Sequence, residues 1–116
     1  MTDRTKFLHD LFTCALEGGV SYWAGVHQYH WGFEQENGVW RSDLSGYKAT
    51  LVDEEGAIHH VDRVVMARGW NRFLQSDLPM AAEARRYQSK LDEYDYDAEV
   101  ADAVVQLGVF GEVIYG

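Results

Sequence analysis

Along the first twenty residues the apolar positions fall at Phe7, Leu8, Leu11, Phe12, Ala15 and Leu16, the three-and-four spacing of one helical face. This pattern predicts a helix from Arg4 to Glu17, with Asp3 or Thr5 available to cap its start and Gly18-Gly19 to end it. Beyond the glycines the period changes to two. Val20, Tyr22, Ala24 and Val26 alternate with Ser21, Trp23, Gly25 and His27, in a run rich in β-branched and aromatic residues that reaches Phe33 and reads as a strand. Asn37-Gly38 is a strong signal for a two-residue hairpin turn, because both residues tolerate positive φ, so Val39 to Arg41 is expected to turn back on this first strand. Tyr47 to Asp53 alternates again, Asp53-Glu54-Glu55-Gly56 supplies a turn, and Ala57 to Val61 returns as a second hairpin.

The period then lengthens once more. Asp62 is placed to cap a helix carrying Val64, Val65, Met66, Ala67 and later Phe73 and Leu74. Gly69 inside it costs about 1 kcal/mol relative to alanine, so it marks either a helix end or a close contact. Pro79 suits the first turn of a further helix, Met80 to Leu91, and Asp95 or Asp97 starts a last one with Val100, Ala101, Val104, Val105 and Leu107 as its apolar stripe. Strands in a block, followed by helices, predict an α+β fold: a three- or four-stranded antiparallel sheet packed with one N-terminal and two or three C-terminal helices.

A length of 116 residues fits a single domain over residues 1–116, and a 47% hydrophobic fraction with four Trp, seven Tyr and five Phe is enough to build its core. No stretch approaches the roughly 20 apolar residues of a membrane span, and the first residues lack a secretory pattern, so the expected location is the cytoplasm, away from membranes. The single cysteine, Cys14, has no internal disulfide partner and falls on the apolar side of the first helix, where it reads as a small buried hydrophobe. A net charge of −9 argues against direct nucleic-acid binding, which rests on Lys and Arg neutralising phosphates. The acidity reads first as a solubility device and second as mimicry of a nucleic-acid backbone.

Candidate chemistry is sparse. His27 and His30, or the adjacent His59 and His60, would point to opposite faces of a strand, so neither pair chelates one ion, and no metal or cofactor is expected. The acidic run Asp92, Glu93, Asp95 and Asp97 lacks the glycine and glutamate register of a calcium loop and reads as a solvated connector at a helix start. No nucleophile elbow, phosphate loop, dinucleotide fingerprint or zinc-protease motif occurs, and an enzyme is not the leading expectation. A basic island stands out: Arg68 and Arg72 lie one helical turn apart, with Arg63 before them and Trp70 and Asn71 between. Arginine forks suit phosphates, and Trp23, Tyr29, Trp31 and Trp40 on the sheet could offer a flat surface to a base or ring. Against this, such arginines often pair with surface carboxylates, and large aromatics commonly form the core.

Three stretches, ALEGGVSYWAG (Ala15–Gly25), HHVDRVVMARG (His59–Gly69) and DAEVADAVVQLGVFGEVIYG (Asp97–Gly116), resemble a group of small proteins encoded by bacteriophages and prophages, notably those of actinobacteria. The resemblance rests on the glycine pair before Tyr22-Trp23, the Asp-initiated helix, and Ala101-Asp102, Gln106 and Phe110-Gly111-Glu112. It implies an accessory role in the cytoplasm of an infected or lysogenic bacterial host, of the kind that counters defence or redirects host enzymes. Phe110 and Tyr115 would then lock the tail onto the core, or take part in a subunit contact.

Together these readings lead to a phage accessory binding protein, a homo-oligomer, that sequesters a small phosphorylated nucleotide-type ligand through Trp23, Tyr29, Trp31, Arg68, Asn71 and Arg72. The alternatives are an acidic protein-binding inhibitor of a host enzyme or nucleic-acid-binding protein, and a small nucleotide-acting enzyme using His27 or His60 with carboxylates as acid and base.

Overall fold

In the computed structural model, residues 4–36, 39–42 and 46–116 are described, those of 33–36 and 39–42 by their backbone alone. Phe7, Leu8, Leu11 and Phe12 form the buried side of α1 (Arg4–Cys14), as their spacing requires. The helix does not run on to Glu17. It widens at Ala15–Gly19 into a π turn, closed by the Val20 amide on the Ala15 carbonyl at 3.0 Å. A Cβ on Gly19 would lie 2.8 Å from the Ala98 carbonyl, so glycine is what lets this turn reach the start of the last helix. Of the proposed caps, Asp3 lies outside the described residues and Thr5 is inside the helix.

The strand predicted from Val20 to Phe33 is broken at both ends. Residues 20–23 form a turn in which the amides of Trp23 and Ala24 both bond the Val20 carbonyl, and β1 covers Ala24–His30. Past it, Gly32 takes φ +84, and the chain enters a separate antiparallel pair, β2 (Phe33–Glu36) with β3 (Val39–Ser42). The turn-back at Val39 therefore pairs with β2 and not with the first strand; Asn37 and Gly38 themselves lie outside the described residues. The main sheet has three antiparallel strands in the order β1-β4-β5, with β4 at Lys48–Asp53 and β5 at Ile58–Asp62. One face carries Ala49, Leu51 and Val61, all buried against the helices. The other face carries Lys48, Thr50 and His60, one residue out of phase along the same strands.

Asp62 ends β5 and caps α2 (Arg63–Leu74), its carboxylate accepting from the Val65 amide at 3.0 Å. Asp97 does the same for α4 (Ala98–Phe110), accepting from Val100, and Gly111 at φ +82 ends that helix in the left-handed conformation. Between them the predicted helix Met80–Leu91 shortens to α3 (Ala81–Arg86), with Pro79 ahead of its first turn. The chain turns at Tyr87–Lys90 and makes a 3₁₀ turn at Leu91–Glu93, which brings Leu91 and Tyr94 back into the core. Gly69 marks a close contact, not a helix end. A Cβ there would meet the Val104 carbonyl at 2.0 Å, and one on Gly108 would meet the Val65 carbonyl at 2.4 Å, so α2 and α4 cross backbone to backbone at two glycines. Trp70, Phe73, Phe7, Phe12 and Tyr47 fill the space between α1, this crossing and the sheet.

Candidate functional site

The residues expected to share one aromatic strand face do not share it. Val26 pairs with Leu51 and Tyr29 with Ala49, so a bulge at His27 places Val26 and Tyr29 on the same side of the sheet. Trp23 precedes the strand altogether. It is 1% exposed, its indole N–H donates to Asp102 at 2.7 Å, and its ring stacks on Tyr115 at 5.0 Å and 7°. Tyr29 keeps 58% of its surface, beside Trp31 at 4.8 Å, and Trp31 packs edge-on against Phe12. The side chain of Trp40 lies outside what is described.

The basic island is also divided. Where α2 crosses α4, Arg68 donates from Nε and Nη2 to the Gly108 carbonyl at 3.0 and 2.6 Å, and Arg72 donates from Nη1 to Leu107 at 2.6 Å. These carbonyls belong to the last turn of α4, which carries the negative end of the helix dipole; the Leu107 carbonyl also accepts from the Gly111 amide at 3.0 Å. Asn71 is turned towards α1 and accepts from Arg4 at 2.9 Å. The six residues expected to form one ligand site thus occupy separate places: Trp23 in the core, Tyr29 and Trp31 at the far end of β1, Arg68 and Arg72 capping α4, and Asn71 against α1.

A different set of side chains does converge. On the sheet face away from the helices, Gln28, Thr50 and His60 are direct cross-strand neighbours, and His30, Lys48 and Asp62 form the next row. They line a depression of about 600 Å³, to which Tyr29, Ala49 and Val61, whose side chains face the helix side of the sheet, also contribute. Thr50 Oγ1 lies 3.3 Å from His60 Nδ1, and the Gly32 amide donates to His30 Nδ1 at 3.1 Å. Lys48 supplies a fixed positive charge, and the two imidazoles supply hydrogen bonds and, when protonated, further charge. Asp62 at the rim has one oxygen committed to its helix cap.

No family model, curated protein or solved structure matches the chain.

The neighbouring histidines of β5 separate as strand geometry demands: His60 faces the open side, and His59 faces the helices, where its Nε2 meets Asp53 at 2.8 Å. Asp53 also accepts the amides of Glu55 and Ala57, shaping the turn between β4 and β5. His59 and these amide bonds hold the Asp53 carboxyl below its ordinary value. Burial and the nearby carboxylates of Glu17 and Asp97 push the Cys14 thiol up, away from the reactive thiolate. Among the described residues no group of three or more His, Cys, Asp or Glu side chains is placed to hold a metal ion, and no helix is long and apolar enough to cross a membrane.

The open face was absent from the sequence-based site, yet its signal is in the chain: Lys48 and Thr50 alternate with Ala49 and Leu51, and a sheet covered on one side leaves the polar set outside. The second polar cluster the sequence did not assign is internal. Asp102 and Gln106 are buried one turn apart on α4, and Asp102 receives Tyr22 Oη at 2.6 Å, Trp23 Nε1 and Gln106 Nε2. Burial and the Asp102 carboxylate push the Tyr22 hydroxyl up to about 12, so it acts as a hydrogen-bond donor and not as a phenolate.

Proposed function

We propose that the chain is a binding protein, without catalysis of its own, that holds a small phosphorylated, ring-bearing ligand on the open face of the β1-β4-β5 sheet. The observation that carries this is the gathering of Lys48, His30 and His60 with Gln28 and Thr50 around one depression, in a chain of net charge −9. Positive and donor groups so concentrated against the overall charge suit an anion, Lys48 meeting phosphate oxygens and the imidazoles of His30 and His60 meeting the ring. Such a ligand fits the phage accessory role that the resemblance implies, sequestering a nucleotide-derived host signal.

The test is native mass spectrometry with cyclic dinucleotides, ADP-ribose and mononucleotides, followed by titration calorimetry on whatever is retained. The reading expects an unaltered ligand mass and at least a tenfold loss of affinity, about 1.4 kcal/mol, in Lys48→Ala and in His60→Ala. Equal affinity in both variants would remove the site. A ligand returned chemically changed would revive the nucleotide-acting enzyme.

A second reading, an acidic inhibitor that occupies a basic surface of a host protein, is favoured by Glu83, Asp95, Asp97 and Glu99, which surround a groove of about 290 Å³ beside Tyr94 and Tyr96. It expects capture of a basic partner that weakens steeply with salt. A partner retained undiminished at 0.5 M salt would count against it, since exposed charges are screened within roughly 5 Å there.

A further inference from the structure

Residues 112–116 leave α4 at Gly111 and fold back along the helix, where backbone groups carry much of their attachment. Gln106, fully buried, presents its Oε1 to two successive backbone amides, Ile114 at 2.8 Å and Tyr115 at 2.9 Å. Its Nε2 donates to the Tyr115 carbonyl at 3.2 Å, and Tyr22 Oη, whose proton goes to Asp102, lies 3.1 Å from the same carbonyl. Asp102 holds both Gln106 and Tyr22 in place from below. The backbone of Tyr115 is therefore read at its N–H and its C=O by side chains of the body, while its ring lies on the buried indole of Trp23, flanked by Phe110.

What the segment does not do is equally informative. Val113 and Ile114, its aliphatic residues, stay exposed, Ile114 at 54%, and Tyr22 beside them is 50% exposed. An anchored tail ordinarily gains its stability by burying such side chains. Here one ring and three backbone groups do the holding, and an apolar rim of Tyr22, Val113 and Ile114 is left uncovered.

We propose that Trp23, Tyr22, Asp102 and Gln106 form a peptide-binding groove which the chain's own Val113–Gly116 fills in cis, and which takes the same segment from a second copy in trans. The preformed polar groups read an extended backbone, and the Trp23 face selects an aromatic side chain. Exchange between copies conserves every contact, so only the hinge and the concentration decide the balance; Gly111, left-handed at φ +82, and Glu112 join the segment to a rigid helix. A partner seated there would also cover the exposed rim. This inference concerns a site apart from the open sheet face and stands or falls independently of it.

The experiment uses the full chain and a fluorescently labelled peptide of sequence FGEVIYG. In the native protein the peptide competes with a tail whose effective concentration is in the millimolar range, so binding is weak. Tyr115→Ala, which vacates the Trp23 face but leaves the groove intact, is expected to bind the peptide about tenfold more tightly, the worth of one aromatic stack with its buried area. Gln106→Leu in the same background abolishes that binding, and a concentration series by native mass spectrometry shows a dimer that Tyr115→Ala loses. If Tyr115→Ala binds no better than the parent chain, or no concentration-dependent dimer forms, the proposal is overturned. Should the variants fold poorly, hydrogen exchange in the unaltered chain decides: the amides of Ile114 and Tyr115 must exchange at least tenfold faster than those of Val104 and Val105, through an opening that leaves the helices intact. Exchange of all four together, by global unfolding alone, refutes a releasable segment.

Discussion

Asp102→Ala is the substitution that most directly tests how the end of the chain is tied to the core. Asp102 is 6% exposed and its two oxygens accept from Trp23 Nε1, Tyr22 Oη and Gln106 Nε2. The three donors do not suffer equally. Tyr22 and Gln106 can both still donate to the Tyr115 carbonyl, whereas the Trp23 N–H is sealed in the core and has no other acceptor among the described residues. Stranding one buried donor costs about 1–3 kcal/mol, and losing the charge-assisted bonds that position Tyr22 and Gln106 brings the total to about 3–5 kcal/mol. For a domain whose whole stability is about 5–15 kcal/mol, this is a large fraction. Asp102→Asn should cost only about 1–2 kcal/mol, because its oxygen can keep Trp23 while its amide faces the Tyr22 hydroxyl, which can turn to accept. Urea denaturation followed by tryptophan fluorescence and circular dichroism measures both. A loss under about 1 kcal/mol for Asp102→Ala would show that Trp23 is not held as described, and equal losses for the two variants would show that charge and not hydrogen bonding dominates.

Four further outcomes follow from the same geometry. Gly69→Ala drives a methyl group onto the Val104 carbonyl and should lower stability by about 2–4 kcal/mol despite the roughly 1 kcal/mol gained in helix propensity; an unchanged urea midpoint would mean that α2 and α4 do not cross so closely. Arg68→Ala and Arg72→Ala each uncap the end of α4 and should cost about 1 kcal/mol, seen as a drop of a few degrees in Tm, while leaving ligand affinity on the sheet face untouched. Loss of ligand affinity in these variants would return the phosphate site to the arginines. Because the folded-state carboxyl of Asp53 is held below its ordinary value, its contribution is complete above about pH 4 and is lost as pH falls through the lowered value, so Asp53→Asn should lower stability in the neutral region, change it least below the lowered value, and thereby flatten the acid limb of a stability-versus-pH profile. Cys14, with its thiol pushed up by burial, should react with iodoacetamide at pH 8 roughly tenfold more slowly than a free thiol; equal rates would place it in an open, unperturbed setting.

Much of this fold is written in local pattern. The α1 stripe, the alternation of β4, the caps at Asp62 and Asp97 and the placement of three helices after an antiparallel sheet all depend on residues within a few positions of one another, where period and turn chemistry decide. The candidate site was less legible because it depends on single-residue events and distant partners. One bulged residue, His27, reverses the facing of everything after it in β1, and nothing in an alternating run of aromatic and polar residues distinguishes a bulge from a regular strand. Arg68 and Arg72 were visible as a pair, but their partners are carbonyls 40 and 35 residues away, brought beneath them by the crossing at Gly69 and Gly108. Gln106 and Asp102 show where the boundary lies. Two polar residues within the apolar run of α4 announce that the helix must meet other polar groups inside the protein, since their burial without partners would cost several kcal/mol. That those groups are Trp23, Tyr22 and the backbone of Tyr115 follows only once the helix, the turn before β1 and the returning segment are assembled around one another.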